Sequence, residues 1–90
     1  MLKDIFEWMG KVNILDCTVN STYHRDALWV GEDDFIEIFD SDNKYVVKIR
    51  GEDIIETSSY NNTVTLYVLG VGKISLTGWG VVPLNFNNKP

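Results

Sequence analysis

Two alternating runs separated by a turn organise the chain. Phe35 to Phe39 alternates around Glu37, and Tyr45, Val47 and Ile49 alternate with Val46, Lys48 and Arg50. A period of two marks a half-buried strand, because successive side chains leave opposite faces. Asp40-Ser41-Asp42-Asn43 lies between the runs, and these residue types favour turns. The pattern predicts a β-hairpin ending at Gly51, with a short third strand at Ile54-Ile55. Ile36 and Ile38 should point inward, opposite Val47 and Ile49. Phe35, Glu37 and Phe39 then share the outer face.

The rest of the chain follows the same logic. Leu2, Ile5, Phe6 and Met9 recur at helical spacing, and Gly10 suits the residue after a helix end. So short a helix needs something to pack on. Its stripe is expected to cover the outer face of Phe35 and Phe39. Val12 to Asn20 predicts a strand with Leu15, Cys17 and Val19 on one face and Asp16 interrupting the apolar run. Thr22 to Val30 predicts a second strand. After a loop at 58–62, Thr63 to Leu69 predicts another strand, broken by Gly70-Val71-Gly72 and resumed from Lys73 to Thr77. Gly78-Trp79-Gly80 is expected to turn. Val81 to Phe86 is expected to pair once more at an edge, since it contains Pro83. Residues 87–90 are expected to be a frayed tail.

Length and composition narrow the class. Ninety residues make one domain, 1–90, with a helix over 1–10 and a β region over 12–86. A hydrophobic fraction of 44% and two prolines argue for a folded chain. One cysteine, Cys17, excludes an internal disulfide and a cysteine-only zinc site and suits a reducing, cytoplasmic setting. No apolar run approaches the roughly 20 residues of a membrane-spanning helix. Lys3, Asp4 and Glu7 argue against a secretory leader.

Charge is uneven along the chain. The formal net charge is -5. From Asp26 to Asp42 there are acids but no Lys or Arg, whereas residues 57–90 carry no acid at all. Glu32, Asp33, Asp34, Asp40 and Asp42 are therefore candidate partner-binding residues, with Arg50 and Gly51 beside them. Clustered carboxylates at strand turns can steer a basic protein or imitate phosphate spacing. Nucleic acid is an unfavourable partner, because non-specific binding needs clustered Lys and Arg. The acid-free, apolar segment 64–82 suggests a homo-oligomer seam.

Catalytic chemistry has little to build on. His24 is the sole histidine, so no multi-histidine metal site exists. His24 and Asp26 share a strand face without further partners. Cys17 has no basic neighbour in the local sequence to activate it. Asp40 to Lys44 begins like a calcium loop but lacks its glycine and terminal glutamate at the required offsets. Gly70-Val71-Gly72 lacks the frame of a phosphate loop. No cofactor is implied.

Two family resemblances rest on these residues. Val46-Val-Lys-Ile-Arg-Gly51, the pair His24-Arg25, the strand Phe35-Ile-Glu-Ile38 and the strand pair from Thr63 to Leu76 are together similar to the YabP/YqfC sporulation domain family. That resemblance spans about Val12 to Leu76 and implies a non-enzymatic, sporulation-related role. Tyr45 to Ile55 resembles the second motif of Sm-like small barrels. There Arg50 and Gly51 would fall where such rings contact RNA, although Leu28 to Ile38 lacks the asparagine of the first motif.

The combined expectation is an all-β protein. It is a small bent antiparallel meander or barrel of about six or seven strands, with the N-terminal helix against one end. The expected function is non-catalytic protein binding or self-assembly. The alternatives are an acidic phage-type inhibitor or nucleic-acid mimic that binds a basic protein, and an Sm-like RNA-binding ring protein.

Overall fold

Residues 2–80 are described by the computed structural model. Helix α1 (Leu2–Met9) precedes β1 (Ile14–Val19), β2 (Thr22–His24), β3 (Leu28–Gly31), β4 (Phe35–Phe39), β5 (Tyr45–Arg50), β6 (Ile54–Tyr60), β7 (Thr63–Val68) and β8 (Gly72–Trp79). The strands form a five-stranded sheet, β2-β1-β8-β7-β6, and a three-stranded sheet, β3-β4-β5. Every pairing is antiparallel. The all-β class and the N-terminal helix hold, but the strands divide between two sheets and do not close a barrel.

The division begins within the segment expected to be one strand, Thr22 to Val30. The chain leaves the five-stranded sheet at His24 and enters the other at Leu28. Asp26 turns the corner with φ 58°. Aspartate tolerates this left-handed region better than most residues. The Asp26 N–H donates to Asp16 Oδ1 at 3.0 Å, and the Ala27 N–H donates to the Leu15 carbonyl at 2.6 Å. Alternation along a sequence cannot reveal a change of sheet, because both halves keep a period of two.

The predicted hairpin register is present. Ile36 lies opposite Ile49 and Ile38 opposite Val47, and all four are buried. On the other sheet Leu15, Cys17, Val64, Leu66, Val68, Ile74 and Leu76 face the same core. Val64, Leu66, Val68, Ile74 and Leu76 are thus covered by the domain itself, whereas Tyr67 and Leu69 of the same stretch are exposed. Asn61, with φ 55°, turns the chain between β6 and β7, and β6 runs on to Tyr60 through the stretch expected to loop.

Helix α1 caps one end of this core, as expected, but it does not cover the outer face of Phe35 and Phe39. Leu2, Ile5, Trp8 and Met9 are buried within the common core. Glycines on both sheets receive the helix. A Cβ at Gly31 would lie 2.5 Å from Phe6 Cε1, and Gly31 pairs with Ile36 on the inner face. At Gly78 a Cβ would collide with Val12 and Trp8. The absence of a side chain at Gly78 admits the helix, and β8 continues through Trp79 where a turn was expected. The expected strand over 81–86 and the tail over 87–90 lie outside the described residues.

Candidate functional site

The acids singled out from the sequence fall at two ends of one sheet. Glu32, Asp33 and Asp34 occupy the turn between β3 and β4, whereas Asp40 and Asp42 occupy the turn between β4 and β5. The five residues of β4 separate them by roughly 15 Å at about 3.3 Å per residue. Arg50 and Gly51 belong to the first end: Arg50 lies opposite Phe35, and the Gly51 N–H donates to the Asp34 carbonyl at 2.9 Å. Asp40 has a local task. Its Oδ1 accepts the N–H groups of Asp42 and Lys44, each at 2.9 Å, and shapes the turn.

The first end carries a recess that the sequence did not reveal. Lys3, Phe6 and Glu7 of α1 and Glu32 and Asp33 of the turn line an open depression of about 460 Å³. The half-buried Phe6 ring gives it apolar surface, and three carboxylates face one ammonium group. A long basic side chain suits such a place, with its methylenes on the ring and its head among the acids.

The outer face of the three-stranded sheet carries apolar side chains beside the charged pair Glu37 and Lys48. Leu28 pairs with Phe39 and Val30 with Glu37, so these side chains share that face with Phe35. Leu28 is 46% exposed and Val30 54%. Tyr45 meets Phe39 edge-to-face, with ring centroids 6.2 Å apart. Lys48 places its Nζ 4.2 Å from the Phe35 ring centroid.

The five-stranded sheet bears a different constellation on its outer face. Asp16 is only 8% exposed although it points away from the core. Its Oδ2 accepts from Tyr23 Oη and from Trp79 Nε1, both at 2.9 Å. Oδ1 accepts the Asp26 N–H at 3.0 Å. Burial raises the Asp16 pKa, but these hydrogen bonds and the charge of Arg25 outweigh it, so the carboxyl lies below its ordinary value. The bond to Asp16 is the main cause that pushes the Tyr23 phenol upward. An acid in an otherwise apolar strand was the sequence signal. Its partners on β2 and β8 were not legible.

Cys17 is fully buried, and burial pushes its thiol up to about 12. His24 lies opposite Cys17 on β2, whereas Asp26 sits at the corner beyond that strand. Among the described residues no group of three or more His, Cys, Asp or Glu could hold a metal ion. No helix among the described residues is long and apolar enough to cross a membrane. No known family, curated protein or solved structure matches the chain.

Proposed function

We propose that this chain is a non-catalytic protein-binding module that also self-associates. The observation that carries this reading is the outer face on which exposed Leu28 and Val30 adjoin the half-buried Phe35 and Phe39. Contiguous exposed apolar surface of this kind suits a protein interface. Glu37 on β4 and Lys48 on β5 lie opposite each other there, so the face carries both signs of charge and suits a second copy. On this reading the seam lies on the three-stranded sheet, a different surface from the segment 64–82 suggested by the sequence.

Light scattering across micromolar concentrations tests the reading. The wild type should exceed the 10.3 kDa of one chain, and the double substitution Leu28→Asp, Val30→Asp should return it to that mass. A wild-type monomer throughout would sink self-association.

A basic protein is the second partner class, as in the acidic-inhibitor reading. The depression of Phe6, Glu7, Glu32 and Asp33 supports it. Charge-reversed Glu32→Lys, Asp33→Lys should abolish capture of such a partner at low salt. Equal capture by both proteins would remove this reading.

A further inference from the structure

The outer face of the five-stranded sheet differs in chemistry from the apolar face on the other sheet. Asp16, Thr77 and Thr63 stand side by side on β1, β8 and β7, and Tyr60 continues the row on β6. At about 4.8 Å between strands, the first three span roughly 10 Å. The Thr63 and Thr77 hydroxyls lie 3.0 Å apart. Trp79 and Tyr23 flank Asp16 from opposite directions along β1, since Trp79 pairs with Ile14 and Tyr23 with Thr18. Trp79 is 49% exposed and Tyr23 58%.

The clasp on Asp16 holds both rings in place before anything binds. A ligand that stacks on them therefore loses little freedom from the protein side. A carboxylate offers about four acceptor sites. Tyr23, Trp79 and the Asp26 N–H use three of them. What remains along the row is one acceptor position and a pair of hydroxyls, which can both donate and accept.

This combination selects a ligand chemistry. An aliphatic peptide surface would offer nothing to the hydrogen-bonding capacity that Asp16 and the paired Thr63 and Thr77 hydroxyls leave unused within the protein. An anionic ligand would meet the Asp16 charge and a net charge of -5. A sugar ring carries C–H groups on its faces and hydroxyls at its rim, and it is uncharged. The C–H faces match the aromatic rings, and the rim hydroxyls match the carboxylate and threonines. We propose that Asp16, Thr77 and Thr63, with Trp79 and Tyr23, form a binding site for a neutral oligosaccharide. The site is separate from the proposed protein-binding face, so either can fail without the other.

The test is an amide and indole NMR titration of the full chain with cellohexaose, chitohexaose, maltohexaose and mannohexaose. Each is taken to about 10 mM, which detects a Kd near 1 mM. With at least one probe, the Trp79 indole N–H and the Thr63 and Thr77 amides should shift saturably. Binding should weaken at least tenfold in Trp79→Ala and in Tyr23→Ala. It should be unchanged in Leu28→Asp, Val30→Asp, which alters the other sheet. Should Trp79→Ala and Tyr23→Ala fail to fold, Tyr60→Ala replaces them, with at least a threefold loss expected. Tyr60 is 79% exposed, so the fold does not depend on it. The proposal is overturned if none of the four probes shifts Trp79, or if binding persists undiminished in every folded variant at these positions.

Discussion

Trp79 donates its indole N–H to Asp16 Oδ2 across 2.9 Å, joining the end of the last described strand to the first strand. Tyr23 meets the same oxygen at the same distance, so one carboxylate holds β1, β2 and β8 together. Asp16→Ala removes a charged acceptor from three donors and should cost about 1.5–3 kcal/mol. Asp16→Asn keeps one acceptor oxygen and should cost roughly half as much, since charge about doubles such bonds. Urea denaturation of the three proteins checks the order. Equal midpoints for wild type and Asp16→Ala would show that the clasp adds no stability.

The same group sets a pH dependence. The folded-state pKa of Asp16 is lowered. Its contribution is therefore fully present above the unfolded carboxylate value of about 3.9, and it disappears as pH falls through the lower folded value. The stability gap between wild type and Asp16→Asn should stay constant from pH 5 to pH 7 and shrink below about pH 4. Melting curves across that range measure it. A gap that widened in acid would reverse the assignment.

Gly31 and Phe6 form a second testable pair. An added methyl at Gly31 meets the Phe6 ring and should cost about 1–3 kcal/mol by overpacking. In a Phe6→Ala background the same Gly31→Ala change should cost far less, because the obstructing ring is gone. A double-mutant cycle in urea reads the coupling directly. Additive costs would mean that the helix does not dock against the inner side of β3.

Core and outer face of the hairpin should respond very differently. Ile38 is fully buried, so Ile38→Ala should cost about 2–5 kcal/mol. Glu37→Ala, on the open side of the same strand, should stay within about 0.5 kcal/mol. A Glu37→Ala variant that melted as early as Ile38→Ala would invert the faces of β4.

Cys17 offers a probe of opening. Its thiol is buried and pushed up to about 12, so almost none is thiolate at neutral pH. Iodoacetamide should leave the native protein unmodified and alkylate it in urea, at a rate that follows the unfolded fraction. Rapid labelling without denaturant would place Cys17 at the surface.

Period-two patterning was legible wherever one face of a strand is apolar. It placed Ile36, Ile38, Val47 and Ile49 inside, and the helical spacing of Leu2, Ile5, Phe6 and Met9 marked the helix expected over 1–10, because burial imposes a repeat that local sequence must carry. The acids of the two hairpin turns were visible as residues, but their separation to opposite ends of β4 was not, since distance depends on which strand lies between. The change of sheet at Asp26, the docking of Phe6 over Gly31 and the clasp of Asp16 by Tyr23 and Trp79 arise from tertiary structure alone. Each joins residues whose neighbourhood is set by strand pairing across the sheet or by packing between layers. An alternating pattern says which way a side chain points, but it does not say what waits on the other side.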